Sequence, residues 1–62
     1  MTIRQRSVLE LISVGLRDKQ IASLLGVSVW TIKDDVRAAL KELEARSRTQ
    51  AVAVSIRAGA IS

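Results

Sequence analysis

Two helical segments within residues 18–41, separated by a very short turn, constrain this chain more than any other feature. Asp18 is a preferred N-cap, Gly26 can close a helix, and Ser28 is the next N-cap. Only Val27 lies between Gly26 and Ser28, and two helices joined so tightly must cross at a steep angle. The segment therefore predicts a helix-turn-helix in which Val27 is buried between the two helices.

The composition of the 62 residues is typical of one all-α domain. Proline is absent, and Trp30 is the one aromatic residue. A domain this small buries only about 60% of the surface that its unfolded chain exposes, so we expect oligomerisation or a partner to add stability. No apolar run approaches the roughly 20 residues that cross a bilayer, and residues 1–10 lack a signal peptide. These features predict a cytoplasmic protein without a membrane segment.

Histidine and cysteine are both absent, which narrows the classes of function. The chain has no disulfide, no zinc-finger or haem-attachment pattern, and none of the commonest acid–base or nucleophilic groups. Asp34 and Asp35 are neighbours whose side chains diverge by about 100° on a helix, so they do not form a catalytic pair. The sequence predicts neither an enzyme nor a metal, cofactor or small-molecule site.

Start and stop signals divide the chain into four helices. Thr2 and Gln5 match a capping box that opens the first helix, and Gly15 suits its end. The second helix is expected to begin at its cap, Asp18, and to end at Gly26. Its inward positions are Ile21, Ala22, Leu24 and Leu25.

The third helix is expected to extend from about Val29 to Leu43 or beyond. The positions that share its apolar face are Ile32, Val36, Ala39, Leu40 and Leu43. Ser47 pairs with Gln50 as a second capping box and opens a fourth helix that continues to Gly59. No linker, repeat or low-complexity stretch interrupts the chain, so residues 1–62 are predicted to form a single domain.

The side of the third helix opposite its apolar face carries a row of cations. Lys33, Arg37 and Lys41 recur every four residues and therefore stack along one ridge. Trp30 and Asp34 lie on the same side. Ten lysines and arginines against six acids give the chain a net charge of +4, which favours a polyanionic partner.

These side chains have defined partners in a major groove of DNA. Lys33 and Arg37 can donate to guanine O6 and N7, and Asp34 can accept from cytosine N4. Trp30 can contact a thymine methyl or the sugar-phosphate. Phosphate contacts are expected at Lys19, Ser28 and Thr31.

Each of these assignments has a simpler alternative. A row of charges on a helix is usually a solvated face. An exposed ring that covers an apolar patch or contacts another subunit explains Trp30 equally well. Asp34 and Asp35 would stabilise the N-terminal half of the third helix through its dipole.

Three stretches resemble, along nearly the whole chain, the LuxR-type or GerE-like helix-turn-helix domain. They are TIRQRSVLELISVGL, DKQIASLLGVSVWTIK and SRTQAVAVSIRAGAI. Their specificity lies in the combination of GL-x-x-K-x-IA, LGVS-x-x-TIK and SR-x-QAV. The resemblance implies a four-helix domain of the winged-helix-like superfamily, without a wing, from a bacterial or phage regulator. It also implies that the third helix reads the major groove and that the fourth forms a two-fold dimer contact.

The resemblance also carries residue roles onto this chain. Base-contacting positions fall at Lys33, Asp34 and Arg37. Backbone contacts fall near Lys19, Ser28, Thr31 and Lys41. The residues themselves indicate which face of the fourth helix forms the dimer contact, because small side chains allow close helix approach. That face contains Ala51, Val54, Ser55 and Ala58. Alternatively, Val52, Ile56 and Val54 pack on the monomer's own core and leave little apolar surface for a partner.

One departure from the family pattern affects the third helix. Where the family usually has Lys-Leu-Gly-Val, this chain has Glu42, Leu43, Glu44 and Ala45. Without the glycine that stops the helix, we expect the third helix to continue past Leu43. The added acids are expected to weaken phosphate binding.

Two functions of different classes follow. The first is sequence-specific binding of double-stranded DNA by a dimeric transcriptional regulator, with half-sites about one turn, ~34 Å, apart. The alternative is a protein-interaction module whose acidic third helix docks on another regulator or on RNA polymerase, with residual DNA binding. The chain is expected to be either a stand-alone regulator or the effector domain of a larger one.

Overall fold

Four α-helices and their connections make up residues 1–61, the part of the chain that this computed structural model describes. The helices are α1 (Ile3–Ser13), α2 (Asp18–Leu25), α3 (Val29–Leu43) and α4 (Arg48–Arg57). Residues 1–61 contain no strand, so the predicted all-α, four-helix architecture is confirmed. α3 packs against each of the other helices, and α4 packs against α1 and α3.

The predicted capping box fixes the start of α1. Thr2 Oγ1 accepts a hydrogen bond from the Gln5 N–H at 3.0 Å, and Gln5 Oε1 accepts one from the Thr2 N–H at 2.9 Å. Two backbone donors that the helix cannot satisfy itself are thereby paired. The helix ends at Ser13, and Gly15 follows in the predicted position just beyond it.

The turn between α2 and α3 also has the predicted geometry. Gly26 takes a φ of 70°, a left-handed conformation that costs a residue with a Cβ about 1–2 kcal/mol. Ser28 Oγ then accepts a hydrogen bond from the Thr31 N–H at 3.1 Å, which caps α3. Val27 is half-buried rather than fully buried, and it packs against the core between the two helices.

The start of α2 differs from the prediction. Arg17 holds the N-cap position, and Asp18 is the first residue of the helix. Gln20 Oε1 accepts a hydrogen bond from the Arg17 N–H at 2.9 Å. The Asp18 carboxylate instead forms an ion pair with Arg48 at the start of α4. A tertiary partner therefore overrides the local preference of this aspartate for capping.

Two adjoining apolar clusters form the core. The first joins α1, α2 and α3 through Val8, Ile21, Ala22, Ile32 and Val36. The second joins α1, α3 and α4, with the chain beyond α4, through Leu9, Ala39, Ala51 and Ile61. The buried members from α3 all belong to the apolar face predicted for it, so that face is confirmed.

Leu24 was expected to point inward, but 65% of its surface is exposed. The short α2 buries only Ile21 and Ala22, with Leu25 packed beside them. On a helix, Leu24 lies about 110° from the centre of that stripe, which places it beyond the contact with α3. An eight-residue helix packed chiefly on one neighbour buries one narrow stripe rather than every apolar residue.

α3 ends at Leu43, so the expectation that it continues past this residue is wrong. Glu44 takes a φ of 54°, the left-handed conformation that glycine favours at helix ends. The Ala45 N–H then donates to the Leu40 carbonyl at 2.9 Å, and Ala45 packs against the second cluster. These contacts, and the need to reach α4 within residues 44–47, hold Glu44 in a strained conformation.

Only half of the capping box predicted for α4 is formed. Ser47 Oγ accepts a hydrogen bond from the Gln50 N–H at 3.1 Å, as expected. Gln50 Oε1, however, accepts from the Arg46 N–H at 2.6 Å rather than from Ser47. The Gln50 side chain therefore fixes the residue before the cap, where the chain enters α4.

Two small residues of α4, Ala51 and Ser55, face into the protomer. Ala51 and Ser55 are 0% exposed, and Ala51 belongs to the second core cluster. Small side chains at these positions let α4 approach α1 and α3 closely. Ala51 and Ser55 therefore have no surface to offer a second copy, which corrects their predicted role. Val54 is half-buried and Ala58 is exposed, and their predicted dimer contact stays a prediction.

Replacing Glu44 with glycine should stabilise the domain by about 1 kcal/mol. Glycine removes the backbone strain, and a carboxylate at a helix C-terminus opposes the helix dipole. The matched reverse change is Gly26→Ala, where an added Cβ meets nothing within 4 Å. Strain alone should then lower stability by about 1–2 kcal/mol. Urea unfolding followed by circular dichroism measures both changes, and a loss of stability in Glu44→Gly would contradict the assignment of strain.

Candidate nucleic-acid interface

Three cations line the solvent side of α3 and form what we call the α3 ridge: Lys33, Arg37 and Lys41. All three are exposed, as their four-residue spacing predicts. The opposite side of the helix is anchored in the core by Ile32 and Val36. Burial of these two residues fixes the rotation of α3 about its axis. The ridge on the opposite side therefore faces solvent.

Trp30 lies beside the first cation of the α3 ridge. Its side chain is 75% exposed, and the Lys33 Nζ lies 5.2 Å from the centroid of its ring. This is a cation–π arrangement, which at an exposed site contributes about 0.5–1 kcal/mol. A ring this exposed covers little apolar surface of its own protomer, so its face and its indole N–H are accessible from solvent.

Asp34 pairs with the second cation of the α3 ridge. Its Oδ1 lies 3.4 Å from Arg37 Nη1, and both side chains are exposed, at 73% and 79%. The pair joins residues three apart on one helix, so it lies wholly on the solvent side of α3. Two of the sequence-predicted base-contacting residues are thereby brought together.

The other acids of α3 are turned away from the ridge. Asp35 is buried, and its Oδ2 and Oδ1 accept hydrogen bonds from Arg4 Nε and Nη2 at 2.6 and 3.1 Å. These hydrogen bonds raise the pKa of the Arg4 guanidinium. Glu42 Oε1 lies 2.6 Å from the amino group of Met1. Both carboxylates therefore bind groups near the start of α1 instead of facing the ridge.

A bidentate ion pair joins the starts of α2 and α4. Arg48 Nη1 and Nη2 donate to the two carboxylate oxygens of Asp18, the second at 2.8 Å. The hydrogen bonds from Arg48 lower the pKa of Asp18, and the charge of Lys33 contributes to the same shift. The pKa of Arg48 is raised in turn.

The residues predicted to contact phosphates lie at helix starts or on the ridge. Lys19 is exposed on the first turn of α2, and Ser28 is exposed at the N-cap of α3. Thr31 is half-buried, and its Oγ1 lies 3.0 Å from Ser28 Oγ. The N-termini of α2 and α3 therefore carry backbone donors and positive partial charge beside residues that are predicted to contact phosphates.

The sequence did not predict which face of α4 is exposed. Thr49, Ala53 and Ile56 lie on it, and Ile56 is 50% exposed although an alternative assigned it to the core. Half-buried Val52 lies beside them and packs against the second core cluster, as the alternative expected. On a helical wheel Thr49, Ala53 and Ile56 lie about 120–180° from the direction of Ala51 and Ser55, so placing the smaller pair inward would have identified the exposed face.

Two further searches of residues 1–61 concern other classes of site. No group of three or more acids, histidines or cysteines in this range is arranged to hold a metal ion. None of the helices described in the range has the length and apolar character needed to cross a membrane.

Comparison with known proteins identifies the family that the sequence matches. Residues 1–55 match the family described as bacterial regulatory proteins, luxR family. The uncharacterized transcriptional regulatory protein YxjL of Bacillus subtilis is 42% identical over 60 residues, which are 97% of this chain and 28% of that protein. The nitrate/nitrite response regulator protein NarP of Escherichia coli is 43% identical over 51 residues, which are 82% of this chain and 24% of that protein.

A solved structure described as the transcription factor GerE superimposes with a TM-score of 0.97 at 26% identity. The superposition covers 100% of this chain and 92% of that one. The chain spans about a quarter of the length of the two curated relatives. The fold and the family match define a helix-turn-helix domain of the kind found in bacterial regulatory proteins. The chain belongs to the luxR family of bacterial regulatory proteins.

Replacing Asp18 with asparagine should lower the free energy of unfolding at pH 7 by about 1 kcal/mol, because Arg48 loses its charged partner. The pKa of Asp18 lies below its ordinary value of 3.8, so the ion pair stabilises the fold above that pH. This stability is lost as pH falls through the lower pKa of the folded state. The difference between wild type and Asp18→Asn should therefore be constant from pH 7 to about pH 5 and shrink towards pH 2.

Denaturant unfolding at each pH provides the measurement. The matched control is Glu10→Gln, which removes an exposed acid that forms no ion pair within residues 1–61. A difference between wild type and Asp18→Asn that persists unchanged at pH 2 would show that charge pairing is not its cause.

Proposed function

We propose that this domain binds double-stranded DNA in a sequence-specific manner, with α3 in the major groove, as part of a transcriptional regulator that acts in the cytoplasm at the nucleoid. The α3 ridge carries this proposal: three exposed cations lie on one side of a helix that the other helices support. Membership of a family of regulatory proteins agrees with it.

The proposed base contacts come from the exposed side of α3. Lys33 and Arg37 donate to guanine O6 and N7, and Arg37 can do so with two N–H groups at once. Asp34 accepts from cytosine N4. Trp30 contacts a thymine methyl or the sugar beside it, since its ring is accessible next to Lys33.

The proposed phosphate contacts surround these base contacts. Lys19 and Lys41 supply charge from the start of α2 and from the last turn of α3. The hydroxyls of Ser28 and Thr31 share one hydrogen bond, so one of them keeps a hydrogen free to donate to a phosphate oxygen. The helix N-termini at Lys19 and Ser28 favour an anion through their dipoles.

Replacing Arg37 with alanine should cost about 1–3 kcal/mol on the preferred site and relax the preference at one base position. Selection of bound sequences from a random duplex library identifies the site, and titration with matched duplexes measures the cost. Arg37→Lys is the control, because it keeps the charge and loses the bidentate fork. It should retain affinity for random duplex but lose the preference. Unchanged selectivity in both variants would remove Arg37 from base recognition.

The dependence of binding on salt separates this function from a protein-interaction module. Binding that neutralises phosphates releases counterions, so DNA affinity should fall steeply as salt rises. The alternative was based on the acids of α3, but Asp35 and Glu42 are engaged with groups near the start of α1. This leaves Asp34 and Glu44 as the acids of this region for a basic partner. The predicted contact with RNA polymerase stays a prediction.

We further propose that two copies associate through the exposed face of α4, defined by Thr49, Val52, Ala53 and Ile56. Ile56 supplies apolar surface, and Ala53 is small enough to allow two helices to approach closely. Beside this face, an open pocket of about 210 Å³ extends onto α1; its lining residues are Ile12, Ser13, Thr49 and Val52. A two-fold pair of domains would present two α3 helices to half-sites about one turn, ~34 Å, apart.

Replacing Ile56 with glutamate should weaken self-association at least tenfold, about 1.4 kcal/mol, because an unpaired charge would be buried between the two copies. Analytical ultracentrifugation, with and without a duplex that carries two half-sites, measures the dimer constant. Ile3→Glu makes the same change at an 83% exposed position on α1 and should have little effect. Equal dimer constants for the two variants would argue against this face of α4.

A further inference from the structure

Arg37 forms an ion pair with Asp34 on the exposed side of α3, and the stability of the fold does not account for this pair. Arg37 Nη1 lies 3.4 Å from Asp34 Oδ1, and about three quarters of each side chain is exposed. An exposed ion pair three residues apart contributes little to the free energy of folding, because water competes with both charges. We therefore look for its effect in what the exposed side of α3 binds, and not in the free energy of folding.

A carboxylate at this position opposes general attraction to DNA. Asp34 shares the exposed side of α3 with Lys33 and Arg37, where the phosphates of any duplex would approach. One negative charge there reduces the part of the affinity that does not depend on sequence. The other two acids of α3, Asp35 and Glu42, bind groups near the start of α1. Asp34 is therefore the acid of α3 that lies beside the ridge cations and reduces this part of the affinity.

We propose that Asp34 is a positioning residue for Arg37 and thereby determines the sequence specificity of the domain. The carboxylate holds the guanidinium on the groove-facing side, so its remaining N–H groups are directed at guanine O6 and N7. Where guanine is absent, the same carboxylate is desolvated without a new donor and penalises the wrong sequence. This inference rests on the proposed binding of DNA by α3.

Lys33 and Arg37, the two cations of the ridge that are proposed to contact bases, differ in the way this assignment requires. An arginine fork held on one side loses less freedom when it binds a base, so orientation improves discrimination. Lys33 is held over the neutral ring of Trp30, and an ammonium group is a point charge without a preferred plane. Discrimination should therefore be concentrated at the base that Arg37 contacts.

The experiment compares Asp34→Ala with wild type on the selected duplex and on random duplex at one salt concentration. We expect the specificity ratio to fall about tenfold, with much of the fall arising from tighter binding of random duplex. Asp34→Glu, which keeps a carboxylate, should restore part of the ratio. Glu10→Gln removes an equal charge from an exposed position on α1 and should leave the ratio unchanged.

A double-substitution cycle tests whether Asp34 acts through Arg37. In an Arg37→Ala background, Asp34→Ala should cause no further loss of preference at the guanine position. An equal loss of preference at the guanine position with and without Arg37 would overturn the positioning role. Asp34 would then act at that position directly, as it does in the proposed contact with cytosine N4, and not through Arg37. Thermal unfolding should be nearly unchanged in every single variant at these exposed positions.

The outcomes separate this inference from the function on which it rests. If the wild-type domain selects no sequence from the library, both are overturned. If it selects a site and Arg37→Ala loses the preference, while Asp34→Ala keeps the wild-type ratio, the role of Asp34 is overturned and the proposed function stands.

Discussion

The direction in which α3 faces depends on the packing of its apolar side. Ile32, Val36 and Ala39 are buried against residues of the other helices, and a helix turns as a rigid unit. Fixing these positions leaves Lys33, Arg37 and Lys41 no direction except outward. A rotation of α3 by one position would bury a lysine without a partner, which is far more costly than any contact it could gain. The core thus determines the interface without containing any part of it.

The charge of the surface follows from ion pairs rather than from composition. Counted along residues 29–44, which include Glu44 just beyond α3, four acids outnumber three bases, and this was the basis for an acidic docking surface. In the folded protomer, Arg4 binds Asp35 and the Met1 amino group binds Glu42, so two of these charges are balanced at the start of α1. The net charge of a helix therefore says little about the face that it presents. Partners far apart in the sequence determine that face, and periodicity alone does not identify them.

Local signals in the sequence predicted most of the fold. The capping box at Thr2, the turn at Gly26 and the cap at Ser28 depend on neighbouring atoms, so their residue types were sufficient. The failures have a tertiary cause. Asp18 binds Arg48 instead of capping α2, and the closure around Ala45 stops α3 although no glycine is present.

The candidate site divides in the same way. The exposed row on α3 followed from periodicity, because an amphipathic helix has only one way to face a core. The small residues of α4 were misassigned, since close approach to a second copy and close approach to α1 and α3 require the same side chains. Only burial separates these two cases, and Ala51 and Ser55 are buried within the protomer. The ion pairs Arg4–Asp35, Met1–Glu42 and Asp18–Arg48 join distant parts of the sequence, so helical spacing could not predict them.

The exposure of the α3 ridge has a consequence for descent among such domains. Lys33, Arg37 and Lys41 contribute no buried surface, so exchanges at these positions change folding stability little. Under the proposed function, a lineage can therefore acquire a new DNA target site without first acquiring a compensating change in its core. Asp34 limits this freedom at one position, because it forms an ion pair with Arg37 of the ridge. A substitution at either residue changes the electrostatic environment of the other. We therefore expect positions 34 and 37 to change together during evolution.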